Sequence, residues 1–340
     1  MRQLLLLLGL LLPLGAQADY SQHPRVPDLL GRLQSEFGFS AAELETVKTA
    51  LAAAQSLPQL VRQEQKAPEK TETWTQYSRR IDASRINDGV ALLRDYAPEL
   101  SRAEAEFGVP PAIIAAILGV ETRYGRVTGK VRVLDALATQ GFEHPTRSDF
   151  FFSELTEYFV FCRDFGYDPQ QPLGSYAGAM GAAQFMPSNY RRLALDYDGD
   201  GRRDLWNLRD AIGSIAHYFR RYRPEVSWRR GEPQIVPAIL RANELPAGAQ
   251  VNHKTLRHYA GELMLSGIEA AVPLPENALV GLIELTLDEG GREWWLGLPN
   301  FYSVMSYNPR IFYAMSVSQL AQRIEQARAE AERAVAEPPP

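Results

Sequence analysis

Residues 108–125 read GVPPAIIAAILGVETRYG, a stretch that begins with two prolines and continues as an apolar run. Proline suits the first turn of a helix, so we expect a helix to start here. Ile113, Ile117 and Glu121 are spaced by four residues and therefore share one helix face, which the flanking aliphatic residues predict to be buried. Gly125 is expected to end the helix.

The carboxyl group of Glu121 is the candidate functional group of this stretch. A carboxyl at the edge of an apolar face loses solvation, so its pKa should rise, which suits a general acid near neutral pH. The alternative is a structural glutamate that pairs with Arg123 or Arg126, and position alone favours that alternative, because ion pairs also perturb carboxylates.

Composition narrows the class of protein. The chain has 340 residues, a formal net charge of −5 and 45% hydrophobic residues, which excludes a disordered, collagenous or multi-span membrane protein. The acidic balance disfavours a nucleic-acid partner. The single cysteine, Cys162, is predicted to be a buried small hydrophobe and not a nucleophile. No metalloprotease or serine acyl-enzyme motif is present in the sequence.

Residues 1–18, MRQLLLLLGLLLPLGAQA, have the pattern of a secretory signal. One arginine precedes an apolar run from Leu4 to Leu14, and a small-residue cleavage pattern follows. This run is too short to span a bilayer as a mature helix. Because no cysteine lies near the cleavage point, we expect an exported, soluble protein without a lipid anchor.

The rest of the chain is predicted to be mainly α with a small β-rich insert. Residues 27–62 have helical patterning, with a capping box at 40–43, and polar residues 63–73 suggest a linker. Helical patterning dominates 108–223 and returns at 311–333. Alternation at 283–287, the turn DEGG at 288–291 and WWL at 294–296 predict a strand, a turn and a second strand.

Residues 119–125 (GVETRYG) closely resemble the catalytic motif of the lytic murein transglycosylase B family. The resemblance continues in family order through 134–139 (LDALAT), 174–181 (GSYAGAMG), 184–188 (QFMPS) and 210–214 (DAIGS), and spans roughly residues 74–320. It implies a lysozyme-like catalytic core at 74–231, after a signal at 1–18 and a helical part with linker at 19–73. A β-rich insert at 232–300 and C-terminal helices at 301–340 would follow.

The resemblance also implies an activity. Enzymes of this family cleave the β-1,4 bond between N-acetylmuramic acid and N-acetylglucosamine without water and leave a 1,6-anhydro ring, with one carboxyl acting as acid and then as base. Hydrolysis in most glycosidases needs a second carboxylate. Asp135, Glu143 and Asp149 are nearest in sequence, and we expect none of them to face Glu121. A non-catalytic glycan-binding scaffold and a hydrolysing muramidase are the alternatives.

Substrate-binding residues are implied by the same resemblance. They are Ser175, Gln184, Tyr77, Tyr218, Tyr307 and Tyr313, and Gly178 and Gly181 would let the backbone approach the saccharide closely. The alternative for Ser175 is a cap in a tight structural loop. The alternative for each tyrosine is core packing.

A calcium loop is predicted at residues 196–202, DYDGDGR. Acidic residues occupy positions 1, 3 and 5 and glycine occupies position 6, as at the start of an EF-hand loop. Asn207 stands at position 12 in place of the usual glutamate. The resemblance implies a longer loop closed by an aspartate, which gives the predicted ligands Asp196, Asp198, Asp200, Arg202 (through its carbonyl) and Asp210. An acidic solvated turn is the alternative.

The expected partners and location follow from these patterns. We expect peptidoglycan glycan strands as the substrate and unidentified cell-wall synthesis proteins as partners. We expect no nucleic-acid partner. The only expected cofactor is a structural Ca²⁺, with no organic cofactor. The signal and the resemblance together predict a periplasmic protein.

Overall fold

Helices dominate the architecture, which we describe from a computed structural model covering residues 19–65, 71–241 and 244–336. The predicted signal at 1–18, part of the predicted linker and the last four residues lie outside the described residues. The α-helices are α1 (Val26–Phe37), α2 (Ala41–Ala52), α3 (Pro58–Gln65), α4 (Trp74–Ser78), α5 (Ala83–Asp95), α6 (Ala97–Phe107), α7 (Pro111–Thr122), α8 (Val133–Glu143), α9 (Ser148–Phe165), α10 (Pro187–Leu193), α11 (Leu208–Arg221), α12 (Ala260–Leu265), α13 (Pro299–Tyr307) and α14 (Ile311–Ala336). The strands are β1 (Val131–Arg132), β2 (Leu173–Gly174), β3 (Ile235–Leu240), β4 (His258–Tyr259), β5 (Ile268–Ala270), β6 (Leu279–Thr286) and β7 (Arg292–Gly297).

The chain divides into two compact units, each assembled from several segments. The first unit comprises residues 19–65, 129–179 and 186–188 of the described chain. Here α8 packs on α9, and α1, α2 and α3 pack on these two helices. The aromatic residues of α9 supply much of this core, since Tyr158, Phe159 and Phe161 are all buried. Cys162 is buried among them, as the sequence predicts.

The second unit comprises the other described residues and is built around α7. Helices α5, α6, α11 and α14 all pack on α7. Every residue from Ala112 to Gly119 is buried. The α7 segment is therefore a core helix enclosed by other helices.

A five-stranded antiparallel sheet completes the second unit, in the order β4-β6-β7-β3-β5. The β6–β7 hairpin pairs Thr286 with Arg292 next to its turn, so the predicted strand, turn and strand are confirmed. In β7, Trp294 and Leu296 lie on one face of the strand, and Glu293 and Trp295 lie on the other. Leu296 belongs to a small apolar core on one side of the sheet, and Trp294 packs against that core.

Two details of the helices differ from the sequence-based expectations. The helix α3 continues to Gln65, past the predicted end of the first helical segment at residue 62. The helix α7 ends at Thr122, three residues before Gly125. In contrast, the predicted capping box is confirmed: the Ser40 hydroxyl accepts from the Glu43 N–H, and the Glu43 carboxylate accepts from the Ser40 N–H. The division into functional domains stays a prediction.

No single helix of the described residues has the length and apolar composition of a membrane span; only the bent pair α6 and α7 meets that test jointly, with a bend of 113°.

Candidate active site

Glu121 lies in the last turn of α7 and is half-buried. Its Oε1 atom accepts a hydrogen bond of 2.6 Å from the Tyr313 hydroxyl on α14. Burial raises the pKa of Glu121 to about 7, although the hydrogen bond from Tyr313 favours the charged form and acts in the opposite direction. The carboxyl group can therefore hold or release a proton near neutral pH while part of the residue stays open to solvent.

The alternative in which Glu121 forms an ion pair is wrong for the described residues. The Arg126 guanidinium pairs with Asp88, and the Arg123 guanidinium lies 3.8 Å from an oxygen of Asp82. Glu121 takes part in no salt bridge within the described chain, and its partner is the uncharged Tyr313. Burial is thus the main cause of its raised pKa.

Three consecutive left-handed residues turn the backbone away from α7 directly after the candidate acid. Arg123, Tyr124 and Gly125 have φ values of 50°, 60° and 80°. Only glycine adopts this conformation without cost, and a left-handed non-glycine residue costs on the order of 1–3 kcal/mol. Thr122 helps to hold the turn, because its hydroxyl donates to the Ala182 carbonyl at 3.0 Å and accepts from the Gly125 N–H at 2.9 Å.

Thr122 and Arg85 both fix the end of α7, and neither was among the residues predicted from the sequence. Arg85 on α5 donates from Nε to the Gly119 carbonyl at 3.0 Å. The Tyr124 hydroxyl in turn donates to the Arg85 carbonyl at 2.6 Å. A threonine next to a helix end is a recognisable capping signal. By contrast, nothing in the spacing of the sequence connects Arg85 to this turn.

The predicted tyrosines differ in what they contact. The Tyr313 hydroxyl contacts Glu121 directly. The Tyr307 hydroxyl donates to the Ala183 carbonyl, and the Tyr218 hydroxyl donates to the Ser306 carbonyl at 2.7 Å. The rings of Tyr307 and Tyr218 lie 4.7 Å apart between centroids. Burial, reinforced by the charge of Glu121, raises the pKa of Tyr307 well above its ordinary value, so its phenol stays neutral.

Tyr77 belongs to a neighbouring aromatic group in the second unit. Its ring lies 5.4 Å from Phe312, which precedes Tyr313 in α14, and 6.1 Å from Trp74. The Arg80 guanidinium lies over the Tyr77 ring at 4.5 Å. The packing alternative therefore describes the ring contacts of Tyr77.

Gln184 lies in the loop at residues 180–185, which is attached to the end of α7. Its side-chain amide donates to the carbonyls of Thr128 at 3.1 Å and Gly181 at 2.9 Å. Gln184 also has a left-handed φ of 51°. The glycine at 181 is required by packing, because an added Cβ would lie 2.6 Å from the Cβ of Leu205.

Ser175 lies in the first unit, where its hydroxyl accepts from the N–H groups of Ala177 at 3.3 Å and Ala179 at 3.1 Å. These contacts fit the alternative of a cap in a tight loop. Gly178 in the same loop has a φ of 84°, and an added Cβ would lie 2.5 Å from Leu137. The role of Ser175 in sugar binding stays a prediction.

The three nearby acidic residues all have partners within the first unit. Asp135 pairs with Arg132 at 2.7 Å. Glu143 accepts from the Ser56 hydroxyl at 2.7 Å, and Asp149 pairs with Arg25 at 3.0 Å. The expectation that none of them faces Glu121 stays a prediction.

An acidic cluster forms at the predicted calcium loop. Carboxylate oxygens of Asp196, Asp198 and Asp210 lie within 4.8 Å of one another. Asp210 is fully buried in the first turn of α11 and accepts from the N–H groups of Tyr197 at 2.7 Å and Asp204 at 2.7 Å. Three convergent oxygen ligands fit a hard cation such as Ca²⁺.

Two other loop residues bear on the ligand set. The Asn207 amide nitrogen donates to the Asp198 carboxylate at 2.7 Å, and the Asn207 amide oxygen accepts from the Arg209 N–H at the start of α11. Asn207 therefore orients the carboxylate of Asp198 and does not take the place of the glutamate ligand of an EF-hand. Asp200 is not part of the three-residue cluster, and its carboxylate accepts from the Arg202 N–H at 2.8 Å. Asp200 and the Arg202 carbonyl stay predicted ligands.

A mainly helical fold that presents a protonatable glutamate at the end of a buried helix fits the lysozyme-like class, and the structural neighbours of this chain have that fold. Comparison with known proteins specifies the family. Residues 28–322 match the family model of the transglycosylase SLT domain, and the chain therefore belongs to this family and is a lytic transglycosylase.

Three similar proteins illustrate the relationship. The chain is 36% identical over 320 residues to membrane-bound lytic murein transglycosylase B of Escherichia coli, covering 91% of this chain and 85% of that protein. The catenated lytic transglycosylase SltB1 of Pseudomonas aeruginosa superposes with a TM-score of 0.82 at 38% identity, over 91% of this chain and 99% of that one. The Escherichia coli lytic transglycosylase Slt35, solved in complex with calcium, gives a TM-score of 0.80 at 36% identity, over 93% and 97%.

Proposed function

We propose that this enzyme cleaves peptidoglycan at the β-1,4 bond between N-acetylmuramic acid and N-acetylglucosamine, without water. The muramyl 6-hydroxyl attacks the anomeric carbon of its own sugar as the glycosidic C–O bond breaks. The products are a 1,6-anhydro-muramyl end and a free N-acetylglucosamine hydroxyl. The relative from Escherichia coli is named for its action on murein, which supports this substrate class.

Glu121 carries the proposal, as a half-buried carboxyl whose pKa is about 7. In its protonated form it donates a proton to the leaving glycosidic oxygen. The resulting carboxylate then accepts the proton of the 6-hydroxyl, which restores the acid for the next cycle. Because the nucleophile belongs to the substrate, this reaction needs no second carboxylate to activate water.

Tyr313 supports both steps by holding one oxygen of Glu121. Its hydroxyl donates to Oε1 at 2.6 Å, which leaves Oε2 as the oxygen that carries and exchanges the proton. The hydrogen bond stabilises the carboxylate formed after proton donation. Tyr313 is itself buried, so the bond forms away from bulk water.

The remaining predicted residues are proposed to recognise the saccharide. Ser175, Gln184, Tyr77 and Tyr307 are half-buried and can offer surface to a sugar, whereas Tyr218 is only 2% exposed and would act by supporting the neighbouring Tyr307 ring. The residues are Ser175, Gln184, Tyr77, Tyr218 and Tyr307.

The test is digestion of purified sacculi by the wild type and by Glu121→Gln, with mass spectrometry of the soluble products. We expect anhydro-muramyl products, lighter by one water than their reducing counterparts, and a loss of rate of at least about 100-fold in the variant. Reducing ends alone would identify a hydrolysing muramidase. Equal clearing by both proteins would remove Glu121 from the mechanism, and no clearing by either protein would favour the non-catalytic glycan-binding scaffold.

We further propose that Ca²⁺ bound by Asp196, Asp198 and Asp210 stabilises the fold and takes no part in the chemistry. Asp210 connects the loop to the first turn of α11, which packs on α7, so the ion would brace the helix that carries Glu121. We also propose that residues 1–18 direct export and that the mature enzyme acts in the periplasm, where its substrate lies.

A further inference from the structure

A pocket of about 670 Å³ in the second unit contains an unusual concentration of arginine. It is bordered by α4, by the first turn of α5 and by the residue that follows α7. Its ionisable lining residues are Arg79, Arg80, Arg85, Arg123, Glu72 and Asp82, which give it a formal charge of +2. We call it the arginine pocket.

Two of the four guanidinium groups are occupied by protein partners. Arg80 forms a two-pronged salt bridge with Glu72, with one contact at 2.9 Å. Arg85 donates to the carbonyls of Gly119 and Arg80. These two arginines have structural roles that explain their presence.

Arg79 and Arg123, by contrast, make only long ion pairs. Their nearest carboxylate oxygens, on Asp288 and Asp82, lie 3.7 and 3.8 Å away, beyond hydrogen-bond distance. Neither guanidinium donates a hydrogen bond to any residue in the described parts of the chain. Both side chains are open to solvent, with 74% and 49% exposed. Their fork of N–H donors is therefore free for a ligand.

The positive charges in the pocket also oppose one another. Burial, and next the charge of Arg123, lower the pKa of the Arg85 guanidinium. The oxygen Oδ2 of Asp82 is shared between Arg85 at 3.9 Å and Arg123 at 3.8 Å and neutralises only part of this charge. A bound anion would relieve the remaining repulsion.

The pocket is connected to the candidate acid through the backbone. Arg123 follows Glu121 by two residues and has the left-handed φ of 50° described above. This strained conformation turns the chain at the end of α7 and fixes where the Arg123 side chain starts. A left-handed arginine is energetically unfavourable, so this backbone position is held by the surrounding contacts and gives the Arg123 side chain a fixed origin next to Glu121.

We propose that the arginine pocket binds a carboxylate of the stem peptide carried by the muramyl residue whose glycosidic bond is cleaved. This inference rests on the proposed function. One sugar bears both the reacting anomeric carbon and the peptide, so a peptide site must lie near the catalytic carboxyl. Guanidinium groups recognise a carboxylate through paired hydrogen bonds, whereas a neutral sugar offers no charge for them. The pocket thereby selects glycan that still carries its peptides.

The experiment compares two substrates that differ only in the peptide. One is peptide-bearing glycan from sacculi, and the other is the same glycan after an amidase has removed the stem peptides. The variant is Arg79→Gln combined with Arg123→Asn, because asparagine tolerates the left-handed backbone. Arg94→Gln is the matched control, since Arg94 lies on α5 with 76% of its side chain exposed and outside the pocket.

The measured quantity is kcat/KM for peptide-bearing glycan divided by kcat/KM for glycan without peptides (naked glycan). We expect this ratio to fall about fivefold in the double variant, because KM for the peptide-bearing substrate rises. The ratio should also fall for the wild type as salt is raised, and less so for the variant. Arg94→Gln should keep the wild-type ratio. An unchanged ratio in the double variant, or an equal loss on both substrates, would overturn the proposal.

A binding measurement tests the role of the arginine pocket independently of the proposed cleavage reaction. In a Glu121→Gln background, calorimetry with soluble peptide-bearing glycan fragments should show weaker binding after the double substitution, and naked fragments should not. A wild type that releases no anhydro products would disprove the proposed reaction, while this binding comparison would still decide the role of the pocket.

Discussion

The environment of Glu121 illustrates what a single residue can acquire from its neighbours. The i, i+4 spacing in α7 aligns it with aliphatic side chains, and burial then raises its pKa to about 7. Tyr313 lies 192 positions away in the sequence, on α14, and donates a hydrogen bond to Glu121. The chemistry of the residue therefore depends on a contact that its local sequence does not contain.

Replacing Tyr313 by phenylalanine should raise the pKa of Glu121, because the lost hydrogen bond favours the carboxylate. We expect the alkaline limb of the pH–rate profile to move up by about 0.5–1 pH unit. Tyr307→Phe is the control, since that hydroxyl bonds to the Ala183 carbonyl. A profile for Tyr313→Phe that moves to lower pH, or stays in place, would contradict the assigned hydrogen bond.

Glu121 should also make the stability of the fold depend on pH. Its native pKa of about 7 exceeds the ordinary glutamate value of 4.5, so the native state holds more protons than the unfolded state between these values, and stability falls as pH rises through that window. Glu121→Gln should therefore be more stable than the wild type at pH 8, by about 2 kcal/mol, and equal to it near pH 4. Chemical denaturation at both pH values measures this, with exposed Glu104→Gln expected to show no such difference. A stability gain that is the same at both pH values would argue against a titrating Glu121.

At the scale of elements, the end of α7 shows where local rules were insufficient. The sequence placed the end at Gly125, the residue that adopts left-handed φ without strain. The structure ends the helix at Thr122 and places Arg123 and Tyr124 in that conformation as well. Thr122 and Arg85 hold these residues through bonds to other segments. Tertiary contacts thus offset the preference of arginine and tyrosine for a right-handed or extended backbone, on which the sequence-based prediction of the helix end relied.

The acidic loop that precedes α11 gives an element-scale prediction. We expect Ca²⁺ to raise the melting temperature of the metal-free protein by several degrees, because the ion binds only the folded state. Asp198→Asn should lose most of this shift, since it removes a ligand charge from the cluster. Asp204→Asn, an acid of the same loop outside the cluster, should keep it. An equal calcium shift in the wild type and Asp198→Asn would refute the site.

At the scale of the whole molecule, segments that are distant in sequence are combined into each unit. The first unit joins the N-terminal helices to residues 129–179, and the second joins α7 to the sheet and the C-terminal helix. The sequence motifs at 119–125 and 174–181 consequently belong to different units. Their order along the chain does not reveal this arrangement.

Export gives a prediction for the whole chain. When the 340-residue chain is expressed in a Gram-negative host, we expect it in the periplasmic extract without detergent, beginning at Asp19. Intact mass and N-terminal sequencing measure this directly. A variant with Leu6 and Leu8 replaced by arginine should stay in the cytoplasm with residues 1–18 attached, because the apolar run is broken. A wild type that requires detergent for extraction would contradict a soluble mature enzyme.

The sequence by itself determined the helical class, the β6–β7 hairpin, the capping box and the positions of Glu121 and the acidic loop. These features depend on residue spacing and local hydrogen bonds, which are properties of neighbouring residues. Only the tertiary structure decided that the Tyr313 hydroxyl bonds to Glu121, that Thr122 and Arg85 hold the end of α7, and that Arg79 and Arg123 share a pocket. Such contacts join segments far apart in the chain, and their geometry arises when helices pack around a common core, which no local pattern specifies.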